Sequence, residues 1–138
     1  MKLVTNETAF LLDAKMRETV LQSMMKTARY LCWKMFAIHV RTNHVHLVLQ
    51  SNTSKEETMG KLKQYATKDL KKYHPELLLR HQFWSRHAST KNVWAPESLF
   101  PVLYYVIKEQ GKPMALYYDK QCYDPTDEAL YECYFDAD

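Results

Sequence analysis

The chain has 138 residues, 46% of them apolar and 25% charged, with a net charge of +3; this is the balance of one globular domain built round one core. Its 2 Gly exclude a P-loop or a dinucleotide fingerprint, both of which need several glycines at fixed spacing. No apolar run is long enough to cross a bilayer, the N-terminus lacks the shape of a secretory signal, and the 3 cysteines (Cys32, Cys122, Cys133) are odd in number and without zinc spacing. They read as reduced thiols of a cytoplasmic protein with no membrane partner.

The charge is unevenly placed. Residues 117–138 hold seven acidic groups (Asp119, Asp124, Asp127, Glu128, Glu132, Asp136, Asp138) and one lysine, Lys120, a net of −6, which leaves +9 on the preceding 116 residues. The expected organisation is therefore a basic body, residues 1–116, and an acidic C-terminal tail, residues 117–138. A basic body suits a polyanionic partner.

In chain order, Leu3-Val4-Thr5 is a candidate short strand. Asp13 is a good N-cap, and the pattern then turns helical. Met16, Val20, Leu21, Met24, Ala28 and Leu31 recur at spacings of three and four, while Lys15, Glu18, Gln22 and Lys26 face outward. This is a core-packing amphipathic helix.

Residues 34–50 consist of two apolar, alternating runs flanking the polar break Arg41-Thr42-Asn43. Alternation is the period of a strand, and the break is a hairpin turn. On the second strand Val45, Leu47 and Leu49 share one face, and His44, His46 and Val48 share the other. Two imidazoles two residues apart on one face of a stiff strand can hold a divalent metal ion. A third ligand must come from elsewhere in the chain.

After the polar connection 51–58, a second amphipathic helix is expected from about Met59 to Tyr73, with Met59, Leu62, Ala66, Leu70 and Tyr73 as its buried stripe. Lys61, Lys68 and Lys72 lie along one side of it and suit phosphate contact. His74-Pro75 ends the helix. Residues 77–95 interleave Arg80, His81, Arg86, His87 and Lys91 with Phe83, Trp84 and Trp94. Alternating cations and aromatics suit a single strand, whose phosphates pair and whose bases stack; equally, at least one of these tryptophans is expected to anchor the core.

A third helix is expected from Pro96 or Ser98 to Gln110, with Gly111 just past its end and Pro113 beyond. Leu99, Leu103, Val106 and Gln110 lie along one side. Tyr105 faces away from them, and Glu109 sits one turn later on the same side as Tyr105. Glu109 is the candidate third ligand, because a carboxylate with imidazoles suits Mg²⁺ or Mn²⁺. Tyr105 is the candidate nucleophile. Tyr65, one turn before Asp69, is its rival.

Thr42-Asn43-His44-Val45-His46-Leu47-Val48-Leu49 resembles the His-hydrophobic-His signature of the HUH-type single-tyrosine transposases, the insertion-sequence and REP-associated enzymes that cut and rejoin single-stranded DNA. The order of parts is also similar: a helix, the histidine hairpin, a lysine-bearing helix, Phe83-Trp84-Ser85-Arg86, then a helix carrying Tyr105-Val106-Ile107-Lys108-Glu109. The resemblance covers roughly residues 10–115. It implies an α+β, ferredoxin-like (RRM-like) sandwich, with a central antiparallel sheet and helices packed on one face. It further implies a homodimer, in which one subunit's tyrosine can serve the other's metal site, acting on single-stranded DNA, with hairpin ends, through Mg²⁺ or Mn²⁺. In the roles it carries over, Tyr105 is the nucleophile that leaves a 5′-phosphotyrosine and a free 3′-hydroxyl, and His44, His46 and Glu109 hold the metal. Lys61, Lys68, Lys72, Arg80, Arg86 and Trp84 are the expected nucleic-acid contacts. The alternative is a non-catalytic single-stranded nucleic-acid-binding protein of the same fold.

Overall fold

The computed structural model describes residues 10–84, 96–121 and 123. Helix α1 spans Ala14–Tyr30; the Asp13 carboxylate accepts a hydrogen bond from the Met16 amide at 2.8 Å, satisfying one of the donors that a helix start leaves open. All the apolar positions anticipated for this helix are buried except Leu31, which is half-buried. The helix ends in a Schellman arrangement: the Trp33 amide donates to the Ala28 carbonyl (2.7 Å) and the Cys32 amide to the Arg29 carbonyl (3.2 Å), with Cys32 itself left-handed at φ 59°.

Strands β1 (Lys34–Val40) and β2 (Val45–Gln50) form the expected hairpin, antiparallel, closed where the Arg41 amide donates to the His44 carbonyl at 2.7 Å. The register pairs Val40 with Val45, His39 with His46 and Ala37 with Val48, then shifts between Met35 and Ala37. Phe36 is the extra residue of that bulge, so Phe36 and Ala37 both turn to the same side.

Helix α2 spans Lys55–Tyr73, beginning four residues earlier than the apolar stripe alone implies. The reason is its cap: the Ser54 hydroxyl accepts from the Glu57 amide at 3.2 Å, and Glu56 and Glu57 sit favourably in the first turn. Leu62, Ala66 and Leu70 are fully buried, but Tyr73 is not part of the stripe. It stands at the helix end, where the chain turns at His74, and is exposed with the Lys72 ammonium 5.2 Å from its ring centroid.

Helix α3 spans Pro96–Lys108, and Gly111, at φ 79°, turns the chain back toward the sheet. There it forms β3 (Ala115–Tyr118), antiparallel to β1, giving the order β2-β1-β3. This strand was not anticipated. It straddles the expected boundary between body and tail, and Tyr123 beyond it is buried among Phe100 and Tyr118.

The class is α+β, a ferredoxin-like sandwich. Helices α1 and α2 cover one face of the sheet and pack on Ile38 and Val40, with Val45, Leu47, Leu49, Ala115 and Tyr117 against the same cluster. The third helix departs from the one-face arrangement: α3 lies on the opposite face, over Ala37, Val48, Leu116 and Tyr118. Outside the bulge at Phe36, the two-residue period of the strands dictates that split, since each strand sends alternate side chains to the two layers. No helix among the described residues is long and apolar enough to cross a membrane.

Candidate active site

The face beneath α3 is the face that carries the histidines. Val48 is buried there against α3, and His46 and His44 follow toward the hairpin tip, with ring centroids 6.0 Å apart. Tyr105, on the exposed side of α3 at 50% accessibility, comes edge-on to His46 at 6.0 Å between centroids. The two imidazoles of one hairpin and the phenol of a helix 59 residues further along are thus neighbours within a single chain.

His46 is held below its ordinary pKa, first by burial and then by the proximity of His44, His39 and Arg41. It is therefore neutral at pH 7, the form in which an imidazole binds a metal ion or accepts a proton. The Arg41 guanidinium closes the tip, donating to the Lys112 carbonyl at 2.8 Å and so tying the hairpin turn to the segment that leaves α3.

His39 is a member of the site that reading by motif missed. It is fully buried, faces α3, and uses both ring nitrogens: Nδ1 lies 3.2 Å from the Val106 carbonyl, and Nε2 accepts from the Met114 amide at 3.0 Å. A backbone N–H only donates, so the ring proton must sit on Nδ1 and be given to Val106. Burial holds the pKa of His39 low and keeps it neutral; the bond to Val106 opposes that, and Arg41 adds to it. A signal was present in the sequence. Counting back from a two-residue turn at Thr42-Asn43 pairs residue 39 with residue 46.

The other expected site residues are distributed as follows. Glu109 follows Tyr105 by one turn, its amide donating to the Tyr105 carbonyl at 3.3 Å, and it is exposed. Among the described residues no three of His, Cys, Asp and Glu are gathered closely enough to hold a metal ion, so Glu109 does not complete a ready-made triad with His44 and His46. The two adjacent imidazoles nonetheless fit as donors for a first-row divalent ion.

Lys61, Lys68 and Lys72 lie on α2, across the sheet from the histidines rather than beside them. Lys61 is 3.8 Å from Glu57, an exposed pair of little energetic consequence. Trp84 packs against the α1/α2 core and donates from its indole nitrogen to the Thr67 hydroxyl at 2.7 Å, the anchoring role expected of at least one tryptophan. Arg80 lies 4.7 Å from the Phe10 ring centroid and donates to the Gln82 carbonyl at 2.8 Å. Arg86, Trp94, residues 3–5 and all but the first residues of the acidic tail lie outside the described residues. Tyr65, the rival nucleophile, is exposed on α2, in the layer across the sheet from both histidines.

The chain matches the family model described as "Transposase IS200 like" over residues 2–106, a span that includes both histidines and Tyr105 and stops before Glu109. No curated protein and no solved structure matches it significantly.

Proposed function

The chain belongs to the IS200-like transposase family, and from that premise we propose that it cuts and rejoins single-stranded DNA through a covalent link to Tyr105. The observation that supports this most directly is the edge-on contact of Tyr105 with His46 inside one chain. In the proposed step the Tyr105 oxygen attacks the scissile phosphorus in line. A tyrosyl–phosphorus bond forms, the bond from phosphorus to the 3′-oxygen breaks, and the phenolic proton is lost while the departing 3′-oxygen gains one. The products are a 5′-phosphotyrosine and a free 3′-hydroxyl; reversal with a different 3′-hydroxyl rejoins the strand.

A phenol with an unperturbed pKa near 10 is a weak nucleophile at neutral pH. His44 and His46, with Glu109 as the third donor, would hold Mg²⁺ or Mn²⁺, which supplies Lewis acidity toward the phosphate and the leaving oxygen. The protein's own contribution is to keep the His46 imidazole neutral and to fix the phenol beside it. Homodimerisation and substrates with hairpin ends belong to this reading, with each protomer carrying its own Tyr105 next to its own His46. On the far side of the sheet, Lys61, Lys68 and Lys72 would hold DNA at a distance from the cut, through phosphates other than the scissile one. Arg80, Arg86 and Trp84 remain proposed contacts on the segment that follows α2.

The test is incubation with single-stranded DNA and Mn²⁺, followed by denaturing electrophoresis for a protein–DNA conjugate. The wild type and Tyr65→Phe should form it, and Tyr105→Phe should not. An undiminished conjugate in Tyr105→Phe refutes the assignment of the nucleophile. Salt-sensitive, metal-independent binding with no conjugate in any variant would leave only the non-catalytic nucleic-acid-binding protein.

A further inference from the structure

We propose that His39 is a positioning residue for the nucleophile: its buried imidazole caps the end of α3 through the Val106 carbonyl and thereby fixes Tyr105 against His46. The inference rests on Tyr105 acting as proposed above, but its geometric part is independent of any cutting. Position 39 lies between Ile38 and Val40 in the middle strand of the sheet, where an aliphatic side chain would be the ordinary choice. A buried polar ring costs free energy unless its polar atoms are paired. Both nitrogens of His39 are paired, and the partners are informative. Nδ1 donates to the carbonyl of Val106, the residue immediately after Tyr105, and Nε2 accepts from Met114, just before β3.

Val106 is in the last turn of α3, where carbonyls lack the i+4 amide that the helix interior provides. The neighbouring carbonyl, that of Tyr105, is capped from within the chain's own turn, by the Glu109 amide at 3.3 Å and the Gln110 side-chain amide at 3.2 Å. The carbonyl of Val106 is instead capped from the sheet. His39 and His46 are direct partners across the two strands. One touches the helix through the backbone of residue 106, the other through the ring of residue 105. Two contacts at consecutive residues, from two paired positions of one hairpin, fix both the rotation of α3 and its advance along its axis. A packing contact alone fixes neither, because an apolar interface tolerates small sliding. The Arg41 guanidinium reinforces the same junction, 3.5 Å from His39 Nε2 and bonded to Lys112.

The experiment compares three variants with the wild type. His39→Leu removes both hydrogen bonds, His39→Gln offers an acceptor toward Met114 without the Val106 donor, and His39→Asn places an amide donor close to where Nδ1 stands. The first readout is the nuclear Overhauser contact between the ring protons of Tyr105 and His46. It should be present in the wild type and His39→Asn, and lost in His39→Leu and His39→Gln. The second is the single-turnover rate of conjugate formation at saturating DNA, set against DNA affinity. Affinity should stay within about threefold of the wild type while the rate falls by roughly 10- to 100-fold in the Leu and Gln variants, the scale on which ångström misplacement acts. His39→Asn should recover most of that loss.

Retention of the Tyr105–His46 contact in folded His39→Leu, or in His39→Gln should the leucine variant not fold, overturns the proposal. So does a wild-type rate in either. Absence of a conjugate from the wild type itself refutes the cutting reaction, and the Overhauser contact then decides the positioning role alone.

Discussion

The two faces of the sheet are built on different principles. The α1/α2 face is a continuous apolar cluster running from Leu12 to Leu77, with Val20, Leu62, Ala66 and Leu70 fully excluded from solvent. The α3 face has a smaller apolar cluster at one end, around Ala37, Val48, Leu103 and Tyr123, and at the other end a row of polar rings, His39, His46 and Tyr105, passing from full burial to half exposure. One layer supplies the stability of the domain, and the other uses that stability to hold titratable groups in contact. A single hairpin serves both, because each of its strands contributes alternate residues to each layer.

The contrast is sharpest if each face is damaged separately. Leu62→Ala should lower unfolding stability by about 2–5 kcal/mol, the usual range for emptying a fully buried leucine site. It should leave the rate of conjugate formation per folded molecule unchanged, with denaturant unfolding and the conjugate assay run on the same preparation. A comparable loss of rate at full folding would show that the α1/α2 layer reaches into the chemistry. His46→Ala should do the reverse. Removal of the half-buried imidazole proposed to hold the metal should cost at least about a hundredfold in metal-dependent conjugate formation, with little change in the urea midpoint. A collapse of stability in that variant would mean that the histidine row is structural.

A smaller effect follows from proton linkage. Burial keeps His39 and His46 below their ordinary pKa, so in the folded chain both are neutral where an unfolded chain, with a histidine pKa near 6.5, already begins to bind protons. The unfolded state then holds more protons, and stability rises with pH through that interval. The stability due to these two groups is complete above about pH 6.5 and declines as pH falls below it toward their folded values. Thermal unfolding from pH 8 to pH 5 should show the decline. It should be flatter in His39→Asn, where Arg41 and His46, which face the ring, remain but the buried imidazole is gone.

Much of this was legible in the sequence, and what was not has a physical reason. The hairpin, its turn and the division of Val45, Leu47 and Leu49 from His44, His46 and Val48 follow from a period of two that no tertiary contact overrides. The start of α1 follows from Asp13, whose cap is local. The placement of α3 is not local. Its own stripe says that Leu103 and Val106 are buried but not on which face of the sheet. The same applies to the lysines of α2: their spacing puts them along one side of the helix but not on a given face of the sheet, and the sheet separates them from the histidines. His39 was passed over because on its own strand it reads as one polar residue in an apolar run; only the cross-strand partner gives it meaning. Strand β3 was hidden by the count of acids around it, although Leu116-Tyr117-Tyr118 has good strand composition.

The smallest expected effect concerns the link between the two layers. Cys32 joins α1 to β1 and is the described non-glycine residue with positive φ, at 59°. It occupies the C′ position of the Schellman turn, where glycine is preferred because a Cβ crowds the left-handed backbone. Its side chain is exposed and its thiol free. Cys32→Gly should therefore relieve conformational strain of the order of 1 kcal/mol, partly offset by the greater freedom of glycine in the unfolded chain, roughly half that amount. The net expectation is a gain of a few tenths of a kcal/mol, with no change in the rate of conjugate formation. Cys32→Val, β-branched at the same φ, should lose stability by more than the glycine variant gains. A glycine variant that is less stable than the wild type would mean that the Cys32 side chain has a packing role. A glycine variant that cuts faster or slower would mean that the angle between α1 and the hairpin is felt at Tyr105, and the separation of the two faces would then hold for stability alone.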